Sequence, residues 1–175
     1  ALAYARRALE SYERMDDAAA VGSSWNTIGW VYIQRGQLER AADALAKAER
    51  SATERGDGRL MAYVLQNRAE LALAKGDTEA AIELAQASID HADASDRARA
   101  ISRLVKAQAL ARTKAPLAKV NAAFAEAIDA LEPHGRGLVA RAHRAHFDAL
   151  MARGDPKAAT GAAQKALELL QPALA

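Results

Sequence analysis

The chain contains no cysteine, which excludes disulfide scaffolds, thiolate metal sites and cysteine nucleophiles. Aromatic residues make up only 5 % of it, and Pro and Gly number four and ten among 175 residues. No run approaches the roughly 18–20 consecutive apolar residues that a membrane-spanning helix requires. What the chain has instead is alanine, 47 residues of it. Alanine is the strongest helix former, and the helix breakers are few and spaced apart, so the composition predicts an all-helical fold. The 51 % hydrophobic content suffices for a core at this length, although small side chains make it a thin one. Residue 1 is Ala rather than Met, and the helical pattern is already running there. The chain therefore reads as a piece cut from a longer protein.

Charge of either sign is nearly balanced at a net +2, but it is unevenly placed. Residues 1–100 carry 13 basic and 16 acidic side chains, a net of −3; residues 101–175 carry 11 and 6, a net of +5. An acidic partner near the C-terminal end would suit this asymmetry, while nucleic acid binding is not expected from so small an excess.

Internal self-similarity organises the sequence. Trp25, Ile28, Gly29 and Tyr32, then Gly36, Ala41, Leu45 and Ala48, set a pattern. A shift of 40 residues places Gly36 on Gly76, Ala41 on Ala81, Gly29 on Ala69 and Trp25 on Leu65; the reverse shift places Ala41 on Ala1. The turn Arg35-Gly36-Gln37 recurs as Lys75-Gly76-Asp77 and Arg153-Gly154-Asp155. A degenerate copy lies between, with Ala107, Phe124, Ala127 and Ile128, and its turn Thr113-Lys114-Ala115-Pro116 has lost the Gly. This unit is the expected weak point of the array.

Each unit reads as helix, turn, helix. Gly supplies a left-handed C-terminal cap, and the next polar residue caps the following helix. The spacing predicts helices over 1–14, 18–35, 38–54, 58–75, 78–92, 96–113, 117–131, 137–153 and 156–170. Gly29 sits in a helix interior at a cost of about 1 kcal/mol relative to Ala, which makes sense if a second backbone approaches it; Ala41 is the expected neighbour. A helical pair cannot bury both of its faces, so stacking into a solenoid follows.

These residues resemble the tetratricopeptide repeat pattern, with Ile28 for the usual Leu and Leu45 for the usual aromatic. The spacing of 40 exceeds the family's common 34, and Arg68 and Phe147 depart from its usual residues. The longer form is similar to repeats in bacterial signal-transduction and transcriptional regulators. The resemblance implies a right-handed α-α superhelix of about four and a half helix-turn-helix repeats, at about 1–17 (half), 18–57, 58–94, 95–133 and 136–171, in a single domain. It implies a cytoplasmic protein that binds a protein or peptide, as the regulatory or scaffolding part of a larger regulator.

In the family, the first helix of each pair lines a concave groove. Carried over, the groove positions are Ser23, Asn26, Thr27, Trp30, Ile33 and Gln34 in the best unit. In the next they are Tyr63, Gln66, Asn67, Glu70, Leu73 and Ala74. Gln108 and Arg112 follow in the weak unit, and Arg141, Arg144 and Asp148 in the last. The amides would pair with an extended peptide backbone, and Trp30 would be its apolar anchor. Trp30 packing between neighbouring units is the plainer alternative.

No catalytic constellation accompanies this pattern. His143 and His146 lie three apart on one helix, but neither HExxH nor a third ligand accompanies them, so packing is the expected role and no metal or other cofactor is expected. Asp16/Asp17 and Glu79/Glu83 fall at caps or outer faces, unlike an acid–base dyad. Gly135-Arg136-Gly137 has no preceding strand, and Gly22-Ser23-Ser24 opens a helix, so neither a phosphate loop nor a nucleophile elbow is present. An enzyme is not expected. The alternative to a binding groove is a spacer or self-association module, motivated by Leu167, Leu169, Leu170 and Leu174, which give the last helix an apolar face.

Overall fold

The computed structural model describes residues 2–171; the equivalence of Ala1 with Ala41 and the apolar contribution of Leu174 lie outside them. The helices are α1 (Leu2–Arg14), α2 (Ala18–Gln34), α3 (Leu38–Arg55), α4 (Gly58–Lys75), α5 (Thr78–Asp90), α6 (Asp96–Ala111), α7 (Leu117–Leu131), α8 (Arg136–Ala152) and α9 (Pro156–Leu170). A 3-10 turn at Glu132–His134 leads into α8. No strand occurs among the described residues.

Each helix packs on the next, and a second set of contacts joins α2 to α4, α4 to α6 and α6 to α8. No comparable packing links α3, α5, α7 and α9 to one another. One layer is thus drawn together and the other splayed, so the stack of helix-turn-helix units curves with α2, α4, α6 and α8 on its inner side. This is the all-α solenoid the repeat requires. Its core is strung along the array in successive clusters, from Ile28, Tyr32 and Leu45 at one end to Leu150 and Ala159 at the other.

Local chemistry sets the helix starts. Asp17, Asp57, Asp77, Ser95 and Asp155 each accept a hydrogen bond from the backbone N–H three residues on. Gln37 makes no such bond, against expectation. Gly56 and Gly76 end α3 and α4 at φ of 62° and 84°, the left-handed region open to glycine.

Where Gly is missing, arginines from elsewhere serve. Helix α5 ends at Asp90, two residues earlier than expected, and the Arg99 guanidinium donates to the carbonyls of Ile89, His91 and Ala92. Helix α6 also ends two residues early; Arg153 donates to the carbonyls of Ala111 at 3.1 Å and Ala115 at 2.8 Å across the Gly-less turn. At the Gly-capped end of α4, Arg112 adds a bond at 2.6 Å to the Leu73 carbonyl, which also accepts from the Gly76 N–H, and Arg136 donates to the Glu168 carbonyl of α9 at 3.1 Å. A guanidinium at a helix C-terminus satisfies orphan carbonyls and meets the negative end of the helix dipole. Three of these four arginines lie beyond residue 100, so part of the basic excess there stabilises helix ends.

The small residues act as expected, with one refinement. A Cβ placed on Gly29 would lie 2.7 Å from both Cγ and Cδ2 of Leu45 and 3.5 Å from the Ala41 carbonyl oxygen. Ala41 is therefore the backbone neighbour, and Leu45, 1 % exposed, is the side chain that occupies the space a methyl would take.

Candidate functional site

The inner layer brings α2, α4, α6 and α8 around a cleft of about 360 Å³. Asn26 and Trp30 reach it from α2, and Tyr63, Gln66, Asn67 and Glu70 from α4. The spacing explains this: residues three, four and seven apart share a helix face. Thr27 also lines the cleft.

The polar side chains here bond to one another. Gln66 Nε2 donates to Asn67 Oδ1 at 3.3 Å, and Asn67 Nδ2 donates to Asn26 Oδ1 at 2.9 Å. This amide chain crosses from α4 to α2, and Gln66 and Asn67 are both buried. Its ends remain for other partners: the Asn26 amide N–H₂ as donor and Gln66 Oε1 as acceptor. Glu70, 5 % exposed, accepts from Arg141 Nη2 of α8 at 3.3 Å, 71 residues away. That bond steps over α6, since α4 and α8 are not otherwise packed together, and it spans the curve of the inner face. A carboxylate so desolvated needs the guanidinium. Tyr63 Oη and Ser95 Oγ are 3.0 Å apart, which ties the cleft to the N-terminal cap of α6.

The apolar surface is Trp30, Ile101 and Leu138. Trp30 is 38 % exposed, whereas Trp25 is half-buried between two core clusters with Lys47 Nζ 3.9 Å above its ring. Arg97 adds an exposed cation at the cleft.

The other sequence-derived positions lie elsewhere. Gln34 is exposed at the end of α2 and does not line the cleft. Ile33 and Leu73 belong to the core, each within an apolar cluster, because the inner helices pack directly on one another there. Gln108 and Arg112 line a separate hollow of about 180 Å³ with Asp148, and Arg112 is tied to the Leu73 carbonyl. Arg144 lines a third hollow, between α8 and α9. The expected continuous groove is thus divided into hollows.

Sequence reasoning missed Arg97, Ile101 and Leu138. The first two were within reach: stepping back from Gln108 by seven and eleven residues along one helix face arrives at Ile101 and Arg97.

His143 and His146 do not converge on a ligand. The His146 ring stacks on Phe124 with centroids 4.6 Å apart, and its Nε2 is 2.9 Å from Asn121 Oδ1. Burial, and secondarily the neighbouring His143, lowers the His146 pKa below the ordinary 6.5; burial and then Lys165 lower that of His143. Among the described residues no cluster of His, Asp and Glu is arranged to hold a metal ion, and no helix is long and apolar enough to cross a membrane. No protein-family model matches the chain, and no curated protein matches it.

Proposed function

We propose that this helical array is a protein-interaction module of the tetratricopeptide type, which holds an extended peptide in the inner cleft as part of a larger cytoplasmic regulator. The observation that carries the reading is the exposed Trp30 ring beside an amide chain with an open donor at one end and an open acceptor at the other. A peptide backbone offers that same pair, a carbonyl and an N–H. Trp30, with Ile101 and Leu138 opposite, accepts one apolar side chain, and Arg97 favours a carboxylate beside it.

The polar network is held in place before any ligand arrives, because Glu70–Arg141 and Asn67–Asn26 fix side chains that would otherwise lose rotamer freedom on binding. The volume of about 360 Å³ suits one or two side chains rather than a folded surface.

Selection from a library of linear peptides tests the reading. Selected peptides should carry an apolar residue next to Asp or Glu. They should lose at least about tenfold in affinity, some 1.4 kcal/mol, with Trp30→Ala, while helicity stays unchanged. Peptides that bind Trp30→Ala and Arg97→Ala as well as the native chain would sink the assignment.

A further inference from the structure

We infer that the hollow on the outer face between α5 and α7, floored by α6, binds an aliphatic carboxylate: a small amphiphile whose acid pairs with Lys106 and whose hydrocarbon chain lies on Ile82 and Leu110. The hollow measures about 530 Å³. Its three helices have further helices on both sides in the chain, so it does not depend on either end of the array. It opens because the outer layer is splayed: α5 packs on α6 and α6 on α7, with no comparable packing between α5 and α7.

Antiparallel packing sets the lining in three rows. Ile82 and Leu110, both half-buried, form one end with Lys119 exposed at the rim. Gln86 and Lys106 meet in the middle, and Ile89 and the Arg103–Glu126 ion pair close the other end. Lys106 is half-buried and donates to Gln86 Oε1 at 2.5 Å, and no carboxylate lies within ion-pair reach of it among the described residues. The Gln86 amide N–H₂ is already taken up by Asp90, whose two carboxylate oxygens it meets at 2.8 and 2.9 Å. A charge withdrawn from water and given only a neutral amide is left uncompensated.

The other units show what this position needs. With Ala107 set on Ala69, Lys106 falls on Arg68, and the shift of 40 places Ile89 on Glu49. Arg68 pairs with Glu49 across the corresponding gap between α3 and α4. One unit further on, His146 takes the position; it needs no counter-charge when neutral, and it meets the Asn121 amide while stacking on Phe124. In the hollow between α5 and α7 the cation is kept, but Ile89 stands where the earlier unit has its carboxylate.

That combination defines the ligand. Its acid takes the place of the Glu49 carboxylate, Lys119 at the rim favours the same sign, and the rest is hydrocarbon. An extended peptide does not suit the hollow, because its backbone would face Ile82, Leu110 and Ile89 with no open amide to bond, unlike in the inner cleft. From Ile82 to Ile89 the apolar wall runs about 10 Å, seven residues at about 1.5 Å each. An extended chain of about eight carbons has that length.

Octanoate is therefore the probe. It should bind the native protein saturably, with amide shifts confined to α5, α6 and α7, and at least about tenfold more tightly than octanol, which lacks the charge. Hexanoate, two methylenes shorter, should bind about tenfold more weakly than octanoate. Lys106→Met keeps the apolar bulk and should abolish the preference for the acid. Ile89→Glu should rebuild the ion pair of the earlier unit and shut octanoate out while helicity and Tm are kept, which separates a filled site from a failed fold. Trp30→Ala should change nothing, so this site and the inner cleft are tested independently. Equal binding of octanoate and octanol, no saturable binding, or indifference to either Lys106→Met or Ile89→Glu would overturn the inference. So would tighter binding here of a terminally blocked tripeptide with Glu between two Leu residues, because the occupant would then be a protein segment.

Discussion

The contact between Gly29 and Leu45 can be tested by changing the sign of one mutation with another. Gly in a helix interior costs about 0.8–1.0 kcal/mol relative to Ala, so Gly29→Ala should stabilise by that amount if nothing stood nearby. Instead, the new methyl would lie 2.7 Å from two carbons of Leu45, one of them Cγ, which cannot swing away as a side-chain tip can. Forcing an extra methyl into such a site costs about 1–3 kcal/mol. In the native background the net change should therefore run from about zero to 2 kcal/mol destabilising. Leu45→Ala alone removes a fully buried side chain and should cost about 2–5 kcal/mol. In that background the obstructing carbons are gone, the remaining neighbour at 3.5 Å is in ordinary contact, and Gly29→Ala should stabilise by about 1 kcal/mol. The coupling between the two sites is then about 1–3 kcal/mol. Guanidinium midpoints at constant slope measure it, and hydrogen exchange of α2 and α3 amides reads it locally, because a solenoid need not unfold all at once. Equal effects of Gly29→Ala in both backgrounds would refute the close approach.

Acid should weaken the fold through its half-buried histidines, His143 and His146. Both titrate below 6.5 in the fold, so the unfolded chain binds protons first. Stability should be level above about pH 6.5 and fall as pH drops from there toward the lowered folded values; His146→Phe should flatten that slope in urea midpoints, and an unchanged slope would remove His146 from the account. Arg153→Ala should leave the Ala111 and Ala115 carbonyls unmet, cost about 1.5–3 kcal/mol, and raise hydrogen exchange in the turn at 112–116 first. Uniform exchange along the array would contradict it. With Arg153 present, the fully buried Phe124, Val120 and Leu131 should make the Gly-less unit more protected than its turn alone promises.

The helices were legible in the sequence where their ends are local. Gly56, Gly76 and the aspartate caps act on residues within one turn, and there the expected and observed boundaries agree to within a residue. Helices α5 and α6 end earlier than expected, where carbonyls at their ends bond to Arg99 and Arg153, each from the following unit. Likewise, helical spacing was enough to bring Asn26, Trp30, Tyr63 and Glu70 to one face. That Asn67 would bond to Asn26, 41 residues distant, and Glu70 to Arg141, 71 distant, depends on how the stack curves. Periodicity along the chain carries no record of curvature.

The same two positions of the helix pair hold Gly29 and Leu45 in the first complete unit and Phe147 and Ala163 in the last: bulk has crossed from one helix to the other. Such units are not spare parts for one another. A chimera that joined α2 to α9 would oppose Gly29 with Ala163 and leave an empty space, whereas one that joined α8 to α3 would drive Phe147 against Leu45. The exchange fits each of these two pairs to its own mate, so a crossover between the two copies would carry either a void or a clash at the heart of its hairpin.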